Sequence, residues 1–258
     1  MEVWLSDRVR LAAVVVFCTL LWSVECIVPL FLYPRGRFRR ALPNLGLASG
    51  LVLMNLSLAS TTAALSAYVT SNGIGLLGRS HLHRGILLVI GVSGLDLATY
   101  VAHLLMHQVP VGWRFHSIHH SETEVDVTTT FRQHPGETLW RLLWQWLAIV
   151  LFGLPLWVTA IYLSLSALNA LLEHSNVRIN EPLDRWLRLL VVTPNMHKVH
   201  HSREKGETNS NYSNILSIWD RLFGTYTPLI KWEALRYGLE HQRDETLGEM
   251  LGGPFRSR

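Results

Sequence analysis

A chain of 258 residues suffices for one or two domains. Only 16% of the residues are charged, well below the usual quarter of soluble domains, and with 49% hydrophobic residues and ten tryptophans this points to a membrane protein. The net charge of +4 sits in short arginine clusters beside apolar runs, and no basic stripe interleaved with aromatics is present, which excludes a nucleic-acid partner and suits an anionic membrane surface.

Residues 9–33 are the first apolar run, closed by Pro34 and by the arginines 35, 37, 39 and 40. A spanning helix needs about 20 mostly apolar residues. The run is too long for the apolar part of a signal peptide and no cleavage site follows, so it reads as a retained span. Cys18 and Cys26, eight residues apart on this helix, are separated by a rise of about 12 Å, too far for a disulfide. A second run, 45–69, is rich in Ala, Ser, Thr and Gly, the small residues that let membrane helices approach closely. Ser71-Asn-Gly-Ile-Gly ends it in a turn.

The third run, 85–106, carries Asp96, Tyr100, His103 and His107 at spacings of four, three and four, a continuous polar stripe on a helix. Ionisable residues in a membrane helix are expensive and normally face an interior or a functional site. The stripe leads to Trp113-Arg-Phe-His116-Ser-Ile-His119-His120-Ser121, after which 128–137 is a polar connection holding His134. Residues 139–174, too long for one span and broken at Gly153-Leu-Pro155, read as a helical hairpin that enters and leaves from one side. It returns His174 to the side of His107 and His134. Residues 181–192 form a short amphipathic helix suited to the interface. The last cluster is His197-Lys-Val-His200-His201, followed by polar residues, the segment 215–227 and a charged tail.

Eight of the thirteen histidines fall in three clusters at spacings that place them together on helices. Neutral imidazole binds iron, zinc, copper or nickel, and three clusters supply more nitrogens than one ion uses, so the spacing points to a two-metal site. Two other classes are compatible with histidine-rich membrane helices. A metal transporter should spread its ligands along a pore and carry internal repeats, which are missing here. A zinc-dependent hydrolase should show about three ligands per zinc and a general base, and no H-E-x-x-H is present. Asp96, Glu122 and Asn176 are each placed either to orient an imidazole through its other ring nitrogen or to serve as a helix cap or surface group. Tyr100 and Trp113 read first as interfacial aromatics, with a place along a substrate path as the alternative. His81, His83 and His241 lie outside the clusters.

The set H-x-x-x-H, W-R-F-H-S-I-H-H-S, F-R-Q-H-P-G-E, E-H-S-N, M-H-K-V-H-H-S and N-Y-S-N-I-L-S-I-W-D-R-L-F-G-T-Y resembles the fatty acid hydroxylase/sterol desaturase superfamily, from about Gly85 to Thr227. The resemblance implies an all-α integral membrane bundle of about four transmembrane helices with a broken hairpin, capped by a histidine-rich cytosolic helical region. It implies a non-haem di-iron oxygenase that uses O₂ to hydroxylate or desaturate a lipid. The ligands it implies are His103, His107, His116, His119, His120, His174, His197, His200 and His201, with His134 as ligand or neighbour of a ligand; no further catalytic residue is implied. The fatty-acid 2-hydroxylase branch carries a second histidine four residues before the position of His174, where this chain has Ala170. The chain therefore leans towards the sterol-desaturase-like branch. No fused cytochrome b5 domain is expected, so the resemblance implies that a separate donor, cytochrome b5-like or ferredoxin-type, would deliver electrons. Sterol, ornithine lipid, carotenoid and fatty acyl chain all remain open as substrates. The division expected is N-terminal membrane helices over 1–84, a catalytic domain over 85–227 and a peripheral tail over 228–258. The arginines 35, 37, 39 and 40 outweigh Arg79 and Arg84, although Arg8 and Arg10 oppose them, and so place the first loop and the active site on the cytoplasmic side.

Overall fold

The computed structural model describes residues 7–33, 36–228, 232–240 and 246–256, and His241 and Arg35 lie outside them. Among the described residues the regular structure is helical; the only extended pairings are isolated bridges, Pro29 with Val177 and Val191 with Leu216. Four long helices come from α1 (Asp7–Ile27), α2 (Arg37–Ser71), α3 (Arg84–Gln108) and the later α6 (Leu156–His174). Of these, α2, α3 and α6 are long and apolar enough to cross a membrane, and the apolar part of α1, Leu11–Ile27, is shorter. The α5 helix (Pro135–Phe152) pairs with α6 as the hairpin. Many of their apolar side chains face outward, among them Val16, Leu53, Leu56, Leu147 and Leu165. Such faces match lipid rather than water.

Three boundaries differ from the sequence reading, each for a local reason. The helix expected over 181–192 ends at Leu187, where a turn leads into the bridge of Val191 with Leu216, and the first two helices differ as follows. The first helix stops at Ile27 rather than near residue 33, because Pro29 has no N–H to continue it. The following residues run extended instead, Leu30 donating to the Asn176 carbonyl at 2.9 Å and Arg178 to the Val28 carbonyl at 3.1 Å. The second helix begins at Arg37, so Arg37, Arg39 and Arg40 lie in its first turn rather than in a loop; Pro43, in the second turn, is carried inside the helix.

The hairpin turns as its sequence suggests. Gly153 ends α5 in the left-handed region at φ 70°, and Pro155 precedes α6. The connection between α2 and α3 lies on this turn, with Leu76 donating to the Leu151 carbonyl at 2.9 Å and Leu77 to the Phe152 carbonyl at 3.0 Å. Gly75 sits so close that a Cβ there would stand 2.3 Å from the Gly153 nitrogen. Gly91 and Gly94 let α3 press against Val158, Leu154 and Phe152. The core that results, Val69, Leu95, Ala148, Ile149, Leu154 and Tyr162, fills this end of the bundle. Every histidine cluster is gathered at the other end. There α4 (Pro110–His120), a 3-10 turn over Val127–Phe131, and α8 (Pro194–His200) close the bundle, with α7 (Glu181–Leu187), α9 (Lys205–Thr208), α10 (Ile218–Leu222) and α11 (Leu247–Gly252) around them.

Gly153→Ala should test this arrangement. Its Cβ would meet the Ile74 carbonyl oxygen at 2.1 Å in a backbone conformation that L residues avoid. A loss of about 2 kcal/mol is expected, read as a lowered midpoint of unfolding in detergent, with metal uptake by the folded fraction unchanged because the turn is at the end remote from the histidines.

Candidate metal centre

Nine histidines converge in two groups, His103, His107, His116, His120 and His200 in one, His119, His174, His197 and His201 in the other. Helical periodicity explains the partition. On α4, His116 and His120 are four residues apart and share a face, while His119 points a quarter-turn away, into the second group. On α8 and its C-cap, His197 and His201 share a face and His200 points into the first group. Each H-x-x-H-H motif thus straddles the two groups.

The orientation of each ring follows from what its Nδ1 meets. His103 Nδ1 lies 2.8 Å from the Tyr212 carbonyl, His119 Nδ1 3.3 Å from that of Arg132, His174 Nδ1 2.6 Å from that of Ala170 and His200 Nδ1 2.7 Å from that of Ser210. A carbonyl oxygen only accepts, so in these four rings Nδ1 carries the hydrogen and Nε2 keeps its lone pair. His107 Nδ1 faces Asn209 Oδ1 at 3.3 Å and His120 Nδ1 faces Thr208 Oγ1 at 3.3 Å. His116 Nδ1 stands 3.1 Å from Glu137 Oε1, at an angle that makes this an electrostatic contact rather than an aligned hydrogen bond. Glu137 is in turn held by Arg141 at 3.0 Å.

The Nε2 atoms consequently point at one another. His119 and His174 approach at 3.0 Å, His174 and His197 at 3.1 Å, His197 and His201 at 3.2 Å, His103 and His116 at 3.0 Å, and His120 and His200 at 3.1 Å. Between neutral His119 and His174 no hydrogen bond is available, because both hydrogens are on Nδ1. Two lone pairs 3.0 Å apart are unfavourable unless a cation lies between them. Two nitrogens bound at right angles to one ion at about 2.1 Å stand about 3.0 Å apart, so the donor set fits a metal ion in each group. Burial also holds these imidazoles neutral, the form that ligates. The rings of His116, His119, His120, His197 and His201 are pushed well below the ordinary histidine range by loss of solvent, and that of His200 down to about 4.

The carbonyls that orient His103 and His200 belong to one loop. Asn211, between Ser210 and Tyr212, is left-handed at φ 53°, a conformation that asparagine tolerates. Its side chain donates to the Met196 and Thr227 carbonyls at 3.1 and 2.8 Å. Asp220 accepts from the Tyr212 and Ser213 amides at 2.8 and 3.0 Å. Asp96 does the same one step further, accepting from the Ile215 and Leu216 amides at 3.1 and 2.9 Å and from Trp219 Nε1 at 2.9 Å.

The other expected site residues fall as follows. Asp96 supports the loop rather than a ring. Tyr100 is buried, not interfacial, and its hydroxyl meets Thr225 Oγ1 at 2.9 Å. Trp113 packs against the His107 and His120 rings, with centroids 5.0 and 5.5 Å apart. Glu122 accepts from Asn44 Nδ2 at 3.0 Å and Asn176 is bonded through its side chain to Phe31, so neither orients an imidazole. His134 stands outside both groups. Its Nδ1 accepts from the Gly136 amide at 2.9 Å, capping α5, which leaves the hydrogen on Nε2, 3.2 Å from the Leu251 carbonyl. No lone pair remains for a metal. The pattern gave no role to Glu137, Asp220, Asn211 or Arg132. All four lie in the quoted motifs, Arg132 and Glu137 in F-R-Q-H-P-G-E and Asn211 and Asp220 in N-Y-S-N-I-L-S-I-W-D-R-L-F-G-T-Y, and Glu137 stands one α-helical turn before Arg141. The far histidines are remote, with His83 capping α3 at its opposite end and His81 exposed.

The family model for fatty acid hydroxylase matches residues 88–225, more than half of the chain. The chain belongs to the fatty acid hydroxylase family. All nine converging histidines fall inside the matched residues of this hydroxylase-family chain. It is 37% identical over 143 residues to the ornithine lipid hydroxylase of Rhizobium tropici, covering 54% of this chain and 41% of the relative. It is 32% identical over 152 residues to the alkylglycerol monooxygenase of Homo sapiens, covering 57% and 32%. It thus spans less than half the length of these curated relatives. No solved structure matches.

Acid should destabilise the metal-free protein. The buried rings have lower proton affinity folded than unfolded, so the unfolded chain binds more protons between the ordinary value of 6.5 and about 4 for His200. Stability is full above about pH 6.5 and falls as pH drops through that window. Unfolding midpoints of metal-free protein between neutral and acidic pH check this; a flat profile would contradict it.

Proposed function

We propose that the two histidine groups hold two iron ions, and that the protein is a membrane-bound oxygenase acting on a C–H bond of a lipid. The observation that carries the reading is the set of facing Nε2 lone pairs, gathered in two groups in a chain of this family. Relatives named as ornithine lipid hydroxylase and alkylglycerol monooxygenase favour hydroxylation over desaturation and a polar lipid over a carotenoid. The overall reaction consumes O₂, two electrons and two protons and releases the hydroxylated lipid and water. Iron bound at these nitrogens would supply the activation of O₂ and the C–H oxidation.

The chain's own residues do the rest. Carbonyls of Ala170, Arg132, Ser210 and Tyr212 hold ring tautomers, so the donors need no reorganisation when the ions bind. Burial of all nine rings except His107, which is half-buried, limits water around the centre. The apolar faces of α2, α3 and α6 deliver a membrane-dissolved substrate to the end of the bundle where the histidines lie. A separate electron donor, cytochrome b5-like or ferredoxin-type, would act from the cytoplasmic side, where the arginine balance puts this end.

Elemental analysis of anaerobically purified protein should give two metal ions per chain, and a ratio near one would contradict the pair. His119→Ala, His120→Ala, His200→Ala and His201→Ala should each abolish lipid hydroxylation, read by mass spectrometry of cellular lipids, while His81→Ala and His83→Ala leave it intact. Single cysteines at the exposed positions Lys205 and Arg79, in a chain lacking Cys18 and Cys26, report orientation. An impermeant thiol reagent on intact cells should label position 79 and spare 205; the reverse pattern would invert the topology.

A further inference from the structure

The two groups are unequal, five nitrogens against four. Beside the smaller one lies a carboxylate with no other evident task. Glu173, the residue before His174 on α6, is buried, and its Oε1 lies 3.9 Å from His197 Nε2 and 3.9 Å from His174 Nδ1. Its Oε2 accepts from Asn169 Nδ2 at 3.2 Å, and Asn169 is itself anchored on the Asn214 carbonyl at 2.6 Å. Among the described residues Glu173 forms no ion pair with a lysine or arginine. Arg141, which lines the same cavity and whose charge acts on Glu173 without pairing with it, gives its guanidinium to Glu137 at 3.1 and 3.0 Å.

Glu173 also faces a cavity of about 20 Å³ that Arg141 and Ala170 line, together with His103 of the larger group and His119, His174 and His197 of the smaller. The small side chain of Ala170 leaves this space open. A buried carboxylate without a cation is unfavourable, and a histidine-held ion would supply one. The spacing agrees: two donors about 2.1 Å from a common ion stand between about 3.0 and 4.2 Å apart, and Glu173 Oε1 and His197 Nε2 are within that range. The four nitrogens lie within 4.8 Å of one another and the carboxylate lies beyond that span from at least one of them, so to join their ion Glu173 must turn further toward His197 through the cavity as the metal enters.

We propose that the Glu173 carboxylate is the fifth donor to the ion held by His119, His174, His197 and His201. The assignment rests on the two-metal reading above. It makes the two sites alike in number and different in kind, one all nitrogen and the other with one hard oxygen donor, and iron accepts both.

The full-length chain, wild type and Glu173→Gln, is stripped of metal in detergent and titrated with Co²⁺, following the visible absorption of the bound ions, the metal per chain and the melting temperature. The wild type should take up two ions. In Glu173→Gln one ion should bind at least tenfold more weakly and its absorption bands should shift, with the other ion unaffected. The metal-free variant should melt no lower than metal-free wild type, because an uncompensated carboxylate has been removed, so only the cobalt-induced rise shrinks. Unchanged spectrum and affinities in Glu173→Gln, or an equal drop in melting temperature with and without cobalt, would overturn the assignment and leave Glu173 a structural residue. Should Glu173→Gln fail to fold, Glu173→Asp decides: it retains the carboxylate and should bind two ions with altered bands, whereas wild-type bands would overturn the assignment. A wild type that binds one ion or none removes the two-metal reading itself, independently of any variant.

Discussion

Imidazoles whose hydrogens are all directed outward, to backbone carbonyls, leave their lone pairs turned on one another, and the rest of this molecule is arranged to maintain that unfavourable geometry. Four rings are tied in this way to Ala170, Arg132, Ser210 and Tyr212. The acceptors come from α6, from the turn before α5 and from the loop after α9, so the donor set depends on elements far apart in the chain being held in register. Repulsion between neutral Nε2 atoms is relieved when cations enter, which couples folding at this end of the bundle to metal binding.

Two carboxylates that touch no histidine maintain part of that register. Asp220 binds the amides of Tyr212 and Ser213, and Asp96 those of Ile215 and Leu216. The loop between them has no helix or strand of its own to satisfy its buried amides, and the aspartates provide acceptors in their place. Asp96 is thereby explained as an ionisable residue within an apolar helix: it locks the loop that orients His103 and His200 against the helix that carries His103.

The N-terminal helices serve the same end by charge. Glu25 pairs with Arg37 and accepts from the Val127 and Asn176 amides at 2.8 and 2.6 Å. Arg40 reaches Glu124 at 2.9 Å and Asp126 at 3.0 Å, and Arg132 binds the Ile118 carbonyl at the end of α4 at 2.9 Å and Asn44 at 3.1 Å. Two of the arginines that weigh in the orientation argument, Arg37 and Arg40, are thus also structural, clamping α1 and α2 to the turn whose Arg132 carbonyl holds His119.

What the sequence determined by itself were the features with a short period or a short reach. Apolar runs of helical length, the break at Gly153-Leu-Pro155 and the i, i+4 pairs His116–His120 and His197–His201 are legible because each is a property of one segment, and together they place the histidines at one end of a helical bundle. The histidine spacing also carries the division of each H-x-x-H-H motif, since a quarter-turn separates adjacent residues on a helix. Tertiary structure alone decided which faces meet. It put His134 outside the groups, because its Nδ1 caps α5, and it gave Asp96, Glu122 and Asn176 partners other than imidazoles, among them backbone groups, Trp219 and Asn44. It brought in Glu137 and Glu173, whose significance depends on neighbours 21 and 24 residues away along the chain, His116 and His197. A carboxylate's role is set by what lies within about 4 Å of its oxygens, and no local pattern of residues records that distance.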